Sequence, residues 1–290
     1  MLITGCGDVG LRLLRQLVSK PAGIRVIASA RRAEQLAEIR RLGGVPIRAD
    51  LDERRSLRRL AAFGTRVVHL APPPAGGSGD PRTRRLIAAL SRGPKPRGRR
   101  RWAYVSTTGV YGDCAGAQID ETRPCRPDSE RARRRVIAES MLRAASRRTT
   151  ARTAILRAPG IYAADRLPLE RLRSGMPALS PAEDVWTNHI HAEDLARACW
   201  LALARGRPGR AINVVDQSEL RMGDYFDQVA DAFGLPRPPR LPRAELARQV
   251  SPMMLSFMSE SRQIGNLRMR KELRLRLAFP TVASQLALLT

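Results

Sequence analysis

The chain has 290 residues, 43% of them hydrophobic and 4% aromatic, and 52 basic residues outnumber 27 acidic ones to give a formal net charge of +25. A chain of this length can bury a sizeable core, as one large α/β domain or as a larger domain with a smaller one attached. No segment approaches the roughly 18 consecutive apolar residues that span a bilayer, and the first residues lack the layout of a signal peptide. We therefore expect a cytoplasmic protein without a membrane segment.

The positive charge favours a polyanionic partner such as nucleic acid, but its distribution argues against one. The excess is almost all arginine and is spread over most predicted helices, with local runs at 97–101 and 131–135. No helix-turn-helix, zinc finger or basic strand with interleaved aromatic residues accompanies it. We expect solvated arginine faces that result from a compositional bias, with a nucleic-acid surface as the weaker alternative.

The predicted elements alternate short runs rich in Val and Ile with longer helical stretches, which is typical of a parallel sheet wrapped by helices. The first helix begins near Asp8, carries apolar residues at helical spacing and ends before Pro21. The pattern predicts an α/β fold, a Rossmann-type doubly wound parallel sheet with a smaller mixed C-terminal lobe. The predicted strands are Met1–Thr4, Ile24–Ser29, Val45–Arg48, Arg66–Leu70, Trp102–Ser106 and Ala154–Arg157.

The alternation weakens from about Pro159, which places a boundary between two lobes there. Residues 1–158 form the predicted nucleotide-binding domain, and residues 159–290 form a smaller lobe that caps the ligand edge and returns strands to the sheet. The segment 91–101 is rich in Gly, Pro and Arg, which predicts a solvated connector into the fifth strand. The first strand is so short before Thr4 that we expect a few residues to precede it.

The segment TGCGDVG has a Gly-x-Gly-x-x-Gly pattern between an apolar strand and an amphipathic helix. The first glycine permits a tight turn, the second lets backbone amides approach a pyrophosphate, and the third allows close helix-to-strand packing. The helix N-terminus adds a positive dipole toward the phosphates. This context predicts a dinucleotide site rather than a simple turn, formed by Gly5, Cys6, Gly7, Asp8, Val9 and Gly10.

Cys6 is also a candidate for a thiol with more thiolate character than usual, because a thiol at a helix N-terminus tends to have a lowered pKa. The alternative is a small residue that fits a tight turn. The four cysteines of the chain lack a Cys-x-x-Cys pair and the spacing of a metal site. We therefore expect reduced, mostly structural thiols and no metal.

The second strand ends in IASARRAEQ, where an acidic residue is expected to hold the ribose hydroxyls of NAD. Arg31 and Arg32 stand there instead, and a guanidinium suits the 2′-phosphate of NADP. We therefore predict NADP, with NAD as the alternative if the arginines merely start the next helix. Position alone adds Asp50 and Leu51 near the adenine, where Asp50 is alternatively a helix cap. Position also adds the strand-end residues Leu70, Ala71 and Pro72 on the ribose and nicotinamide side.

The glycine loop is the first of a series of motifs along the chain. The others are YVSTTGVYGD, ETRPCRP, LRAPGIYA, NHIHAEDLARA, AINVVD and NLRMRKELRLRLAFPT. In this order they resemble the extended, sugar-nucleotide epimerase type of the short-chain dehydrogenase/reductase superfamily, over nearly the whole chain. The resemblance implies a nicotinamide cofactor, a small-molecule substrate and a homodimer. The helix over 131–145 that would pair the subunits is rich in arginine, so charge repulsion opposes the dimer and leaves the oligomeric state open.

The resemblance places catalytic roles on positions where the chain departs from the family. Thr107 falls on the catalytic Ser or Thr, whereas the Tyr-x-x-x-Lys dyad falls on Arg131 and Arg135, the second of which is also the position that holds the nicotinamide ribose. A guanidinium stays protonated at physiological pH, so it can bind an anion or orient a ribose but cannot shuttle a proton. The resemblance also implies that the nicotinamide lies against Pro159, Gly160 and Ile161.

Tyr111 is the nearest alternative proton donor, because the arginines of the dyad positions would lower its pKa. The stronger interpretation of Tyr111 is a packing residue. His189 and His191 are further candidates, although their NHIH segment is better interpreted as a structural hinge, and His69 lies in an apolar strand as a core histidine.

These observations favour an NAD(P)-binding oxidoreductase or epimerase-like enzyme that acts on a sugar, polyol or nucleotide-linked substrate. The alternative is a non-catalytic NADP-binding sensor or regulatory protein that has lost the dyad. The two differ in turnover, because the sensor binds cofactor without reducing any carbonyl compound.

Overall fold

A computed structural model describes residues 1–19, 23–63, 65–92, 100–149 and 151–290. The strands are β1 Leu2–Thr4, β2 Ile27–Ala30, β3 Val45–Arg48, β4 Arg66–His69, β5 Arg101–Thr107, β6 Gln118–Ile119, β7 Arg152–Ala158, β8 Gly160–Tyr162, β9 Ala178–Leu179, β10 Trp186–Thr187, β11 His189–His191, β12 Ala211–Asn213, β13 Leu220–Arg221, β14 Arg240–Leu241 and β15 Gln263–Ile264. The α-helices are α1 Asp8–Val18, α2 Ala33–Arg41, α3 Pro81–Arg92, α4 Glu130–Arg148, α5 Leu169–Arg173, α6 Ala192–Arg205, α7 Met222–Ala232, α8 Arg243–Leu246, α9 Pro252–Phe257 and α10 Val282–Leu286. Single 3₁₀ segments span Arg54–Phe63, Thr108–Tyr111 and Ala164–Arg166, and a π-helical turn spans Met269–Leu273.

The central sheet has seven parallel strands in the order β12-β7-β5-β4-β1-β2-β3. The strand order reverses between β1 and β4, and in open α/β sheets ligands bind at the carboxyl ends of the strands beside such a reversal. The glycine loop follows β1, so the topology places it at this switch point. The prediction of a Rossmann-type doubly wound sheet is confirmed.

The predicted strands all form, with shifted ends. β2 begins at Ile27 rather than at Ile24, whereas β5 and β7 extend further at both ends than predicted. β12 is a seventh strand that is absent from the predicted set, and it pairs with β7 through Ile212 and Leu156. Strand ends depend on the neighbouring strand that supplies the hydrogen bonds, which the local sequence does not specify.

Helices cover both faces of the sheet because alternate residues of each strand point to opposite sides. Ile3 and Val68 belong to one buried cluster, formed with α1 and α6. Their chain neighbours Leu2 and Val67 belong to the other, formed with α3 and α4. The leucines of the α1 stripe are buried at 13, 14 and 17, so this helix packs on the sheet as predicted.

A third buried cluster lies in the C-terminal segment and includes residues of α5, α7 and α10. Phe226, Val229 and Leu286 belong to it. The segment 159–290 also supplies α6, which packs on the sheet, and β12, which pairs with β7. This segment therefore forms a core of its own and also contributes to the core around the central sheet. The boundary between 158 and 159 stays a prediction.

The expectation of solvated arginine faces is wrong for part of the arginine set. Arg134 is buried and donates to Ala75 O at 2.9 Å and Gly77 O at 3.0 Å. Arg262 is also buried and donates to Gly112 O at 2.7 Å. These guanidinium groups donate hydrogen bonds to carbonyl oxygens of irregular loops. Such carbonyls need a donor when they are buried, because a loop has no regular backbone partners for them.

The predicted connector 91–101 is only partly a connector. Ser91 and Arg92 belong to the end of α3, Arg100 is buried, and Arg101 is the first residue of β5. The segment 93–99 lies outside the described residues.

Candidate functional site

The three glycines of the loop have three different environments. Gly5 has φ +71°, and a Cβ there would lie 2.6 Å from the backbone nitrogen of Ala71, so a larger residue cannot fit. At Gly10 a Cβ would lie 3.0 Å from Cys6 Sγ and 3.2 Å from Leu70 Cδ1, which keeps α1 close to the strands. At Gly7 a Cβ would have nothing within 4 Å among the described residues. The protein therefore packs closely around the first and third glycines, whereas the second faces open space.

A groove of about 210 Å³ runs beside this loop at the carboxyl ends of β1, β2, β3 and β4. It brings together eight of the predicted cofactor residues: Gly5, Cys6, Gly7, Arg31, Asp50, Leu51, Ala71 and Pro72. It is also lined by residues that the sequence analysis did not single out: Ser29, Ala30, Gln35, Ala49 and Arg82. The predicted cofactor residues that do not line it are Asp8, Val9, Gly10, Arg32, Leu70, Arg135, Pro159, Gly160 and Ile161.

The two arginines after β2 have separate roles. Arg31 lines the groove with its side chain 60% exposed, and its Nη1 lies 3.8 Å from Asp50 Oδ2, longer than a hydrogen bond. Arg32 is the N-cap residue of α2 and does not line the groove, so it starts the helix as the alternative interpretation held. Asp50 Oδ1 accepts a bond of 2.9 Å from the backbone of Asp52. Asp50 therefore both shapes the local turn and faces the groove.

Arg82 of α3 closes one side of the groove, and no local motif marks it. Its Nε donates to Asp52 Oδ1 at 2.9 Å and its Nη1 to Pro72 O at 3.1 Å. Arg82 thereby ties the loop after β3 to the loop after β4. The Asp52 carboxylate accepts from this guanidinium, which lowers the pKa of Asp52 although burial opposes the shift.

Cys6 does not have the reactive thiol that a helix N-terminus predicts. Its side chain is 1% exposed, and burial raises the pKa of the thiol to about 12. Desolvation disfavours the thiolate more than the helix terminus favours it. Cys6 is the small buried residue of a tight turn, in contact with Gly10.

Thr107 ends β5 beside the first turn of α4. Its Oγ1 accepts a hydrogen bond of 3.2 Å from Gly109 N, which leaves the hydroxyl proton available to a substrate oxygen. A Cβ at Gly109 would lie 3.6 Å from Thr107 Oγ1 and 3.8 Å from Ala132 Cβ, so α4 begins next to Thr107.

The two arginines at the dyad positions lie on α4 but face different surroundings. Arg131 is exposed, whereas Arg135 is half-buried and donates to Tyr104 Oη at 3.0 Å and to Val105 O at 2.7 Å. Arg135 therefore holds β5 two residues before Thr107. Tyr104 is fully buried and burial raises its pKa to about 12, so this tyrosine is no usable acid at neutral pH.

Tyr111 is a packing residue. It is 1% exposed, its Oη donates to Asn213 Oδ1 at 2.7 Å, and the Arg157 guanidinium lies over its ring at 4.8 Å. Burial raises the pKa of Tyr111, and the charge of Arg157 opposes that shift only in part. The favoured interpretation of Tyr111 as a packing residue therefore agrees with the structure, and the alternative, in which Arg131 or Arg135 lowers the pKa of its hydroxyl, is wrong because that pKa is raised.

The three histidines are buried. His69 contacts Thr4 Oγ1 at 3.0 Å and Thr83 Oγ1 at 2.9 Å, and burial lowers its pKa to about 3, so it is a satisfied core histidine as predicted. His191 caps α6 by accepting from the backbone of Glu193 at 3.2 Å. Burial lowers the pKa of His189 to about 4, and its Nδ1 has no hydrogen-bond partner among the described residues.

The residues predicted to lie against the nicotinamide lie in β8 and immediately before it. Gly160 begins β8, which pairs in parallel with β11, and its nitrogen donates to Asn188 O at 3.3 Å. Ile161 packs partly buried against the same hydrophobic cluster as α1 and α6. None of Pro159, Gly160 and Ile161 lines the 210 Å³ groove.

Glu139 is a residue whose importance no local signal revealed. It is fully buried and accepts from Arg157 Nη2 at 2.8 Å, Ser106 Oγ at 2.7 Å and Arg143 Nη2 at 3.1 Å. These bonds tie α4 to β5 and β7 directly behind Thr107. In the sequence, a glutamate in an arginine-rich helix is interpreted as a surface residue, and only the packing of β5 and β7 shows that Glu139 is buried.

A larger cavity of about 830 Å³ lies beside His189, away from the glycine loop. It is lined by residues from the segments 118–123, 186–189, 215–219 and 263–270. Asp216 is buried there, and burial raises the pKa of its carboxyl to about 7. Sequence patterns did not indicate this cavity because four distant segments build it.

Over the described ranges, no group of three or more His, Cys, Asp and Glu side chains is placed to hold a metal ion. The helices in the same ranges include none that is long and apolar enough to cross a membrane.

A parallel sheet of this order with a glycine loop at its switch point defines the Rossmann class of dinucleotide-binding folds. The model of the NAD dependent epimerase/dehydratase family matches residues 1–215, and the chain belongs to that family. The extended-type resemblance predicted from the motifs is thereby confirmed. No functionally curated protein matches the chain.

Solved structures resemble the chain over almost its full length. A functionally unknown conserved protein from Silicibacter pomeroyi is 30% identical with a TM-score of 0.80, covering 99% of this chain and 96% of that one. The dTDP-glucose 4,6-dehydratase of Streptomyces venezuelae, solved as a double mutant with NAD and DAU bound, is 20% identical with a TM-score of 0.78, covering 99% and 95%. The UDP-glucose 4-epimerase of Thermotoga maritima, solved with UDP-glucose, is 17% identical with a TM-score of 0.79, covering 99% and 96%. The two enzymes show the fold alone at these identities.

Proposed function

We propose that the chain is an NADP-binding oxidoreductase or epimerase-like enzyme that acts on a sugar, polyol or nucleotide-linked small molecule. The observation that carries the proposal is the groove in which Gly7 and Arg31 line the same space. Gly7 leaves room for a pyrophosphate, since a Cβ there would have nothing within 4 Å among the described residues. A bound nicotinamide cofactor would supply the hydride donor or acceptor of the reaction.

The preference for NADP over NAD is part of this proposal and depends on Arg31. Its guanidinium is mostly exposed and 3.8 Å from the Asp50 carboxylate, so its donors can turn to a 2′-phosphate. Asp50 lines the same groove but follows β3, near the adenine, and not β2, after which an acidic residue would hold the ribose hydroxyls of NAD.

The first test is a calorimetric titration of the purified, nucleic-acid-free protein with NADPH and with NADH. We expect Arg31→Ala to weaken NADPH binding about tenfold or more, because a hydrogen bond to a charged group contributes about 1.5–3 kcal/mol. NADH binding should change by less than about threefold, because NADH lacks the phosphate. Arg40→Ala, on the exposed last turn of α2, removes the same charge outside the groove and is the matched control. Tighter binding of NADH than of NADPH by the unaltered protein would contradict the NADP preference.

Thr107 is the residue proposed to contact the substrate. Its hydroxyl proton can hydrogen-bond a carbonyl or hydroxyl oxygen, while Gly109 N fixes the oxygen position. Arg135 positions Thr107 indirectly through Val105 O. We expect Thr107→Ala to abolish NADPH-dependent turnover and Thr107→Ser to retain most of it. The polar lining of the 830 Å³ cavity, which includes Asn188, supports a polar substrate.

A second candidate function is the sensor or regulatory protein that binds NADP without turnover. The observation that favours it is Arg135, which is tied to Tyr104 Oη and Val105 O and cannot serve as the lysine of a proton-transferring dyad. A panel of carbonyl substrates separates the two candidates. Slow NADPH oxidation that is lost in Thr107→Ala supports the enzyme, and stoichiometric NADPH binding without turnover on the whole panel supports the sensor. Cytoplasmic location and a homodimer stay predictions under either function.

A further inference from the structure

Three neighbouring strands of the central sheet each begin with an arginine. Arg66 of β4 is in register with Arg101 of β5, and Arg101 is in register with Arg152 of β7. Neighbouring strands of a sheet lie about 4.8 Å apart, so the three residues form a row of like charges across the sheet edge. We call Arg66, Arg101 and Arg152 the arginine row.

The arginine row lies at the edge opposite to the candidate cofactor groove. All three residues stand at the amino ends of parallel strands, whereas the glycine loop and Pro72 follow the carboxyl ends. A ligand bound at the row would therefore occupy a different site from a dinucleotide in the groove, and its binding would be independent of the proposed function.

The row lines a cavity of about 430 Å³ that is also formed by Thr65, Trp200, Leu203 and Ala204. This volume falls within the range of small-molecule pockets, which is about 300–1,000 Å³. Arg101 is held in place by Leu203 O at 3.2 Å and Ala204 O at 2.8 Å, which are carbonyls of the last turn of α6. Arg66 lies over the Trp200 ring at 5.8 Å. The cavity thus has fixed cationic walls and an aromatic wall.

Within the described ranges of the chain no carboxylate neutralises the charges of the row, and only Arg101 has negative partners, the two carbonyls at the end of α6. None of Arg66, Arg101 and Arg152 has a carboxylate within salt-bridge distance there, although many other arginines do. The Nε of Arg152 is buried and also has no hydrogen-bond partner among the described residues. A buried unsatisfied donor and a row of adjacent like charges both destabilise a fold. An anion in the cavity would relieve both.

We propose that this cavity is a binding site for a small phosphorylated ligand, distinct from the cofactor groove. Planar guanidinium groups bind phosphate oxygens bidentately, and the row offers several of them within one cavity. Trp200 and Leu203 provide a less polar wall for the organic part of the ligand. A volume of about 430 Å³ bounded by seven residues favours a small ligand over a nucleic-acid strand, which needs an extended basic groove.

The test is a titration with pyrophosphate and with inorganic phosphate in a buffer free of both, using the full chain. We expect Arg66→Gln/Arg152→Gln to weaken pyrophosphate binding at least tenfold. Arg248→Gln in the exposed segment after α8 removes one charge elsewhere and should bind within about twofold of the unaltered protein. Arg31→Ala measures any share of the pyrophosphate binding that belongs to the cofactor groove, and the loss in the double variant should remain in its background. Pyrophosphate affinity that is unchanged in the double variant overturns the proposal.

Two further measurements protect the test from ambiguity. Arg152→Lys keeps the charge of the row, so it should fold normally, and it should still weaken binding severalfold because an ammonium lacks the planar fork. If this variant binds pyrophosphate as tightly as the unaltered protein does, the proposed site at the arginine row is wrong. A single-stranded oligonucleotide is the second probe. If the row binds it more tightly than pyrophosphate, with an affinity that falls steeply with salt, the row belongs to a nucleic-acid surface and the small-ligand proposal fails.

Discussion

Gly5 and Gly7 stand two residues apart in one loop, yet the structure predicts opposite consequences for the same substitution. At Gly5 an added methyl group would lie 2.6 Å from Ala71 N and 2.7 Å from Ala71 Cα, and the backbone has φ +71°. A left-handed conformation costs an L-residue about 1–2 kcal/mol, and overpacking against backbone costs about 1–3 kcal/mol more. We expect Gly5→Ala to lower the free energy of unfolding by about 2–5 kcal/mol, a large part of a typical total of about 5–15 kcal/mol.

Gly7→Ala should leave the fold nearly intact and damage cofactor binding. Gly7 has φ −91°, which alanine adopts freely, and the new methyl group meets nothing within 4 Å among the described residues. Gly7 is the N-cap residue of α1, where alanine is the poorer residue by about 1 kcal/mol or less. If the pyrophosphate passes over this residue, the methyl group should weaken NADPH binding at least about tenfold, which is about 1.4 kcal/mol.

Urea unfolding followed by circular dichroism measures the first effect, and NADPH titration measures the second. An unchanged unfolding midpoint for Gly5→Ala would refute the close approach to Ala71. Normal NADPH affinity in a folded Gly7→Ala variant would show that the open space beside this glycine is not the path of the cofactor.

Three further predictions concern buried groups. Glu139→Ala should lower the free energy of unfolding by about 3–5 kcal/mol because it leaves buried Arg157 uncompensated, whereas Glu130→Ala, which breaks an exposed pair, should cost about 1 kcal/mol or less in the same urea assay. Cys6, with its pKa near 12, should resist a thiol reagent at pH 7 until urea unfolds the chain, and rapid labelling of the native protein would contradict its burial. The Asp216 carboxyl has a folded pKa raised to about 7, so the folded state holds a proton that the unfolded state releases from about pH 4 upward. The contribution of this carboxyl to the free energy of unfolding should therefore decrease between about pH 4 and 7. The free energy of unfolding of Asp216→Asn, relative to that of the unaltered protein, should increase over the same interval. A difference between the two proteins that does not change with pH would refute this.

The sequence predicted the parts of the site whose causes are local. Each glycine of the loop has a reason within a few residues, so the Gly-x-Gly-x-x-Gly spacing predicted both the tight turn at Gly5 and the close packing at Gly10. Strand existence followed from runs of Val and Ile in the same way. β12 has three residues, Ala211–Asn213, too few for a periodic pattern, and it became recognisable as a sheet strand only through its register with β7.

Features that depend on tertiary burial were not predictable. Cys6 stands at a helix N-terminus in the sequence, and the choice between a reactive thiol and a small structural residue depends on its enclosure by the strands and α1, which raises the pKa of the thiol and supports the structural residue. The arginine row requires the register of three strands, which no single segment specifies. Arg82 lines the groove from α3 only because the loop after β4 returns toward Asp52.

The arginines of α4 have structural roles at and beside the predicted dyad positions. Arg135, at the position where the motif spacing predicts the lysine of the family, is bonded to Tyr104 Oη and Val105 O, and its neighbour Arg134 holds the loop after β4 through Ala75 O and Gly77 O. Both bonds come from Nη1 of Arg135, so a lysine at 135 would keep this support of β5 only if its single ammonium nitrogen reached the same two oxygens. The same residue that replaces the usual lysine thus supports the strand that carries Thr107.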